Sequence, residues 1–334
     1  MRNCFVILTI ASLIFGQSAI AQSSKKKKFI DVAYMDQSVK PGDNFYLYVN
    51  GNWIKKTPIP GSKTRWGSFD ILTEQSSEAL RGLLEDAAKS PGNSDLMRRV
   101  GDFYASGMDS LAIEARGFDP IKPYLTEIDR LSSKPQISAG INYLRSHAIS
   151  SPLYRIGVGQ DARRVTNYII SIGQGGTSLP DRDYYLKEDK RSATIRNEYL
   201  NYVSTLFKLC GADEATAKQN AQTILNIETA IARAQMSRTE MRDPVKLYNK
   251  FSFDDFEAKM PHMDWVMNLS QLGYTNNTDS VIVSNPRFMV FEDSLFNAIP
   301  VNDWRVYLKW NVMRDAAPYL SSSFVDANFA FNKV

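Results

Sequence analysis

Histidine and cysteine are scarce in this 334-residue chain, with two of each. No H-E-x-x-H, no Gly-x-Ser-x-Gly and no glycine-rich phosphate loop occurs in it. A catalytic zinc ion needs three protein ligands, usually with two histidines on one helical face, plus an open water position. Neither His147 nor His262 has a second histidine at helical spacing, so no catalytic zinc site is expected within this chain. His147 follows Leu144 on the Ile137/Ile141 stripe and reads as a core-edge histidine, and His262 sits beside Pro261. Cys4 falls in a segment expected to be removed, which leaves Cys210 as the lone thiol and excludes an intramolecular disulfide. Cys210 ends the apolar pattern Tyr202, Val203, Leu206 and Leu209, which marks a buried, inert thiol and not a nucleophile.

Long apolar runs are also missing. The one at the N-terminus, Phe5 to Phe15, is shorter than the roughly 20 residues that span a bilayer. It is followed by Ala19-Ile20-Ala21, the small-x-small pattern of a cleavage site, so residues 1–21 are expected to be a cleaved export signal with the mature chain starting at or near Gln22. No integral membrane span is then left. Residues 22–30 form a Ser/Lys linker and 31–334 the folded region, expected in the periplasm or outside the cell. The formal charge of +4 comes from Arg2 and Lys25 to Lys28, without which the rest is nearly neutral, and nucleic acid is not an expected ligand.

What is present is core material: 43% hydrophobic and 11% aromatic residues. Apolar residues recur at helical spacing at Leu80/Leu83/Leu84/Ala87, Leu96/Val100/Phe103/Tyr104, Ile137/Ile141/Leu144, Ile224/Ile227/Ile231 and Trp304/Tyr307/Leu308/Val312, which predicts helices with these residues as core faces. Two places break that rhythm. Tyr154 to Gly159 and Asn167 to Ile172 flank a polar Gln160–Thr166 loop and predict a β-hairpin, and Ser280 to Ser284 predicts a further short strand. Gly157-Val158-Gly159 is no dinucleotide fingerprint, because its third glycine is missing and a hairpin follows. Asp254-Asp255 reads as helix-start charge after Ser252. The expected class is mainly α, multi-helical, with one or two small β-hairpins.

Four ordered segments carry a resemblance. Asp43-Asn44-Phe45-Tyr46-Leu47-Tyr48-Val49-Asn50-Gly51-Asn52-Trp53 comes first, then Pro58 to Leu72 with Arg65-Trp66-Gly67-Ser68-Phe69-Asp70. Leu179-Pro180-Asp181-Arg182-Asp183-Tyr184-Tyr185 and Arg242 to Lys250, ending Tyr248-Asn249-Lys250, complete the set. Together they resemble the neprilysin and endothelin-converting-enzyme family of zinc metalloendopeptidases. The resemblance implies the N-terminal region of a two-lobed, mostly helical enzyme that cleaves oligopeptides inside a cavity. It further implies that the family's H-E-x-x-H helix, its glutamate zinc ligand and its N-A-x-Y strand lie downstream, in a catalytic half that this chain lacks. Zinc would therefore belong to the full-length protein, and this chain alone is expected to bind none and to be inactive. Trp53 and Asp181 to Tyr185 then stand as structural signature residues. Asp181 and Asp183 also form a carboxylate pair, but their place between Pro180 and two tyrosines favours an ion-paired turn over acid/base work.

Arg65 and Asp70 are the expected substrate-side residues. In the family, the corresponding arginine meets the C-terminal carboxylate of the peptide, with the aspartate nearby, and a planar guanidinium suits that bidentate task. The other reading, that Arg65 only pairs with Asp70 to fix its loop, stays open at this point. A second arginine found in some members is Thr73 here. The leading expectation is a truncated or split peptidase; the rivals are a non-catalytic peptide-binding or interaction protein and a fragment without stable function. If the first holds, Trp304 to Val312 and Phe324 to Phe331 should show apolar faces whose partners lie in the other half.

Overall fold

The computed structural model describes residues 30–90, 92, 94–150, 152–274 and 279–332. The expected export signal, with Cys4, and the lysine run lie outside them. The chain divides into two compact units, Met1–Met97 and Arg98–Val334.

In the first unit, α1 (Phe45–Lys56) starts at Asn44, whose side chain accepts from the Leu47 N–H at 3.0 Å, and ends with Lys55 and Lys56 at the negative end of its dipole. Gly51 is buried because a Cβ there would stand 2.6 Å from the Asp36 Cβ; only glycine lets the helix settle on the Asp36 loop. Asp36 accepts from Lys55 Nζ and Ser38 Oγ, both at 2.6 Å, and these bonds hold its carboxyl down at about 2. Asn52 adds a 2.7 Å bond to the Met35 carbonyl. The N-G-x-W segment is thus a docking device for the preceding loop, with Trp53 half-buried beside it. Helix α2 (Ser68–Lys89) follows, with Asp70 in its first turn. Arg81–Glu85 and Lys89–Glu85 pairs at 2.9 and 3.8 Å run along its exposed side.

Helix α3 (Asp95–Met108) straddles the boundary between the units, and α4 (Ser110–Arg116), α5 (Lys122–Arg130) and α6 (Lys134–Ser146) follow. Strands β1 (Arg155–Asp161) and β2 (Arg164–Gly173) form the hairpin predicted at Tyr154 to Ile172, antiparallel from Arg155↔Gly173 with an irregularity at Gln160/Asp161. Next come α7 (Asp183–Leu186), α8 (Lys190–Leu209), α9 (Glu214–Ala234), β3 (Asn249–Ser252), α10 (Phe253–Lys259), α11 (Trp265–Gln271) and β4 (Ser280–Val283). The predicted strand at Ser280 does not found a second hairpin. It runs parallel to β2, with Ile170 opposite Val281, and pairs antiparallel with β3, giving one sheet of order β1-β2-β4-β3. The chain finishes with α12 (Pro286–Ala298), α13 (Val301–Ala316) and α14 (Ser322–Asn332). The protein is mainly α-helical with this one small sheet.

The core of the second unit forms where α8, α9 and α13 pack together, with α14 against α8 and α5 and α6 against α13. Trp304, Tyr307, Leu308, Trp310 and Val312 of α13 are all fully buried. This corrects the expectation that this stripe awaits a partner: α5, α6, α8 and α9 cover it, and the Trp304 indole N–H donates to the Phe296 carbonyl at 3.1 Å. On α14, Phe324 is buried and Phe331 stacks on Tyr202, while Phe329 is exposed. Other faces go the opposite way. Leu80 and Leu83 on α2 and Leu96 and Phe103 on α3 were expected to be core, yet all four are exposed, whereas Ala87 on the first stripe is buried and Leu84, Val100 and Tyr104 are half-buried, so each stripe is covered only in part. Among the described residues, no helix is long and apolar enough to cross a membrane.

Candidate functional site

The Arg65–Asp70 segment turns from an extended stretch into α2 at Gly67, and Asp70 in the first helical turn complements the positive end of the dipole. Arg65 Nε lies 3.8 Å from Asp70 Oδ1, beyond hydrogen-bond distance, and the Arg65 side chain is 87% exposed. A surface pair of this length contributes between nothing and about 1 kcal/mol, so it neither fixes the loop firmly nor occupies the guanidinium fork. Thr73 turns its hydroxyl onto the Phe69 carbonyl at 2.8 Å, within its own helix.

Asp181 to Tyr185 lie in the second unit. Asp181 accepts the Asp183 N–H at 2.9 Å and holds Arg238 Nε at 2.7 Å, while Asp183 holds Lys187 at 2.8 Å. Both carboxylates are therefore engaged by cations. Arg182 donates to the Gln235 carbonyl, and the Tyr184 carbonyl accepts from Arg196. The Tyr185 hydroxyl sits at the centre: it accepts the Ser178 and Leu179 N–H groups at 3.1 and 2.7 Å and donates to Glu228 at 2.7 Å. Glu228 also receives Tyr199 at 2.7 Å and Ser178 Oγ at 2.6 Å. Ser178 in turn accepts from Trp310 Nε1 at 2.9 Å and Arg314 Nη1 at 2.8 Å. Burial raises the Glu228 carboxyl against these donors, and burial and the Glu228 charge push Tyr185 and Tyr199 far above the ordinary phenol range.

The Tyr248-Asn249-Lys250 segment is built similarly. Tyr248 donates to buried Asp161 at 2.8 Å, and Lys250 lies 3.5 Å from the same carboxylate, which the Arg163 backbone N–H holds below its usual range. Asn249 bonds the Val283 carbonyl, tying β3 to β4.

The sequence reading missed Glu228 and Glu292. Each interrupts an apolar helical stripe, Ile224/Ile227/Ile231 and Phe288/Met289/Phe296, and a lone acid inside such a stripe was the signal available. Glu292 is fully buried, neither of its oxygens has a hydrogen-bond partner among the described residues, and burial pushes its carboxyl up to about 8.

The donors for a zinc site do not come together. His147 is exposed at the end of α6 with Nδ1 2.9 Å from the Tyr143 carbonyl, and His262 Nδ1 lies 2.6 Å from Asp293. Among the described residues, no group of three or more His, Cys, Asp or Glu side chains could hold a metal ion. The described residues do not fit zinc. Cys210 is no substitute nucleophile, because burial pushes its thiol up to about 12.

Comparison with known proteins supplies the wider frame. Human endothelin-converting enzyme 1 is 28% identical over 312 residues, covering 90% of this chain and 40% of that enzyme. An endothelin-converting enzyme homolog of Locusta migratoria is 27% identical over 314 residues, covering 89% of this chain and 43% of that protein. Among solved structures, the zinc metalloprotease ZMP1 of Mycobacterium tuberculosis, in complex with an inhibitor, superposes with a TM-score of 0.81 at 27% identity, over 90% of this chain and 46% of that one. PepO of Lactobacillus rhamnosis shares the fold at a TM-score of 0.71 and 18% identity. The chain thus spans less than half the length of these relatives. The N-terminal model of peptidase family M13 matches residues 41–334, and the chain belongs to that family of zinc metallopeptidases.

Proposed function

We propose that this chain is the N-terminal part of a secreted or periplasmic zinc metalloendopeptidase that hydrolyses oligopeptides. In this reading it supplies cavity wall and, through Arg65 with Asp70 beside it, a subsite for the peptide's C-terminal carboxylate. One observation carries the subsite: an arginine 87% exposed and held, among the described residues, by nothing tighter than a 3.8 Å approach to Asp70. A guanidinium with both donor edges open binds a carboxylate bidentately. The apolar Phe5 to Phe15 run supports export, and the donor geometry supports a zinc site completed outside these residues.

The test joins the chain to a catalytic half. Arg65→Met should weaken cleavage of peptides whose free C-terminal carboxylate lies just beyond the scissile bond by about tenfold or more, since a charge-assisted contact is worth on the order of 1.5–3 kcal/mol. C-terminally amidated peptides should be less affected, and Arg65→Lys should recover activity only in part. Equal slowing of both peptide types, with a lowered melting temperature, would reassign Arg65 to a structural pairing with Asp70.

The burial of the α13 stripe inside the second unit favours a second reading, a non-catalytic peptide-binding protein that folds by itself. The two readings share one expectation: the chain alone should hold no stoichiometric zinc after dialysis and should not hydrolyse peptides. Chelator-sensitive turnover by the isolated chain would refute it. A sharp, cooperative melt of a monodisperse monomer would favour the second reading.

A further inference from the structure

A cavity of about 410 Å³ opens over the Gln174–Arg182 turn, and its walls are cationic. Arg155, Arg182, Arg238 and Arg314 line it, against the single carboxylate of Asp181. The turn is pressed onto the chain behind it: a Cβ at Gly175 or Gly176 would stand 2.6 or 2.8 Å from the Leu153 carbonyl oxygen, and Gly176 has φ +82°.

The charges are unevenly spent. Asp181 is committed to Arg238, and Arg314 to Asp315 at 2.7 Å and to Ser178. Glu240 feels the charge of Arg182, but its carboxylate is held by Ser237, whose N–H and Oγ both donate at 2.8 Å. The buried Arg182 Nε has no acceptor among the described residues, although Nη1 reaches the Gln235 carbonyl. Arg155, at the start of β1, is exposed, and among the described residues its side chain makes no hydrogen bond or ion pair, the backbone alone joining the ladder opposite Gly173. Cations gathered around a recess repel one another, and an oxyanion whose oxygens accept from two guanidinium edges relieves that repulsion while supplying the missing acceptor.

We infer that this cavity binds an oxyanion, a carboxylate or a phosphate, gripped by Arg155 and Arg182. The inference goes beyond the peptidase reading and stands whether or not Arg65 serves a substrate.

The test is calorimetric titration of the full chain at low ionic strength with three probes: inorganic phosphate, citrate and the dipeptide Glu-Glu. At least one should bind saturably at millimolar concentration or below, and the tightest identifies the source as free phosphate, a free polycarboxylate or an acidic peptide. Arg155→Gln and Arg182→Gln should each weaken that binding about tenfold or more, and added salt should weaken it further. Arg163→Gln is the control, since Arg163 stacks 4.2 Å over the Tyr248 ring, outside the cavity. The Arg155 side chain makes no hydrogen bond or ion pair among the described residues, and Arg155→Gln leaves its backbone pairing with Gly173 in place, so the replacement tests binding with little cost to the fold. Absence of saturable binding by all three probes, or binding that survives both substitutions, overturns the inference.

Discussion

Glu228→Leu should lower the melting temperature of the chain by roughly 10 °C, a loss on the order of 3–5 kcal/mol. Glu228 is wholly buried and accepts from Ser178, Tyr185 and Tyr199, all within 2.7 Å. Leucine matches much of the volume but accepts nothing, so two buried phenols, Tyr185 and Tyr199, and the half-buried Ser178 hydroxyl lose their acceptor at once. Each such loss costs about 1–3 kcal/mol where water cannot enter. Arg314 keeps Asp315 but loses the second carboxylate that offsets its charge. Glu228→Gln should cost less, about 1–2 kcal/mol, because its amide retains one acceptor and hydroxyls can reverse to accept from the new donor. Thermal melts followed by circular dichroism decide this. A leucine variant melting within two or so degrees of the parent would mean that water or a rearranged donor already serves these hydroxyls.

That network gives the Leu179 to Tyr185 segment a structural task. The Tyr185 hydroxyl caps two backbone N–H groups of the turn while anchoring to α9 through Glu228. The turn that forms the floor of the arginine-lined cavity is thus fastened from beneath by a buried acid. Local chemistry around Pro180 made a turn legible in the sequence; the acid that fastens it lies more than forty residues away, and no local pattern identifies it.

Other parts show the same division between local and long-range information. The hairpin was legible because alternation and a polar loop are local; the structure starts β1 one residue later, at Arg155, and extends the other three strand ends by one to three residues. The parallel pairing of β2 with β4 was not, since it joins strands across more than a hundred residues of intervening chain. Helical periodicity located the apolar stripes correctly but could not tell which would be covered. Ile224, Ile227 and Ile231 meet neighbouring helices, whereas Leu80, Leu83 and Phe103 with equally good spacing face outward. Periodicity reports a face; burial depends on what else is there to pack on it. Arg65 stood out in the sequence because a short loop carries it, and its side chain is exposed, but the cationic cavity draws Arg155, Arg182, Arg238 and Arg314 from four separate segments and leaves no linear trace.

Glu292 carries the second large expected effect, and it appears as a dependence on pH. The residue lies on the buried face of α12 among Phe288, Met289 and Phe296, with the charge of Arg145 nearby and Asp293 next to it. Arg145 is drawn elsewhere, donating to the Pro152 and Tyr154 carbonyls at 2.8 Å and stacking 4.3 Å over the Tyr154 ring. Burial therefore dominates, and the carboxyl rises from 4.5 to about 8. The folded pKa is the higher one, so as pH climbs past 4.5 the unfolded chain releases this proton while the folded chain retains it. Stability is lost at about 1.4 kcal/mol per pH unit across the window from 4.5 to about 8, and the loss levels off once the folded carboxyl also ionises. Glu292→Gln removes the titration and keeps the shape. The variant should match the parent near pH 4.5 and exceed its stability by several kcal/mol at pH 8, with the difference growing steadily between. Urea denaturation of both proteins at a series of pH values measures that difference directly, and every other titrating group cancels in it. A difference that stays flat from pH 5 to pH 8 would show that Arg145 neutralises Glu292 in the folded chain and that the acid is an ion-paired part of the core.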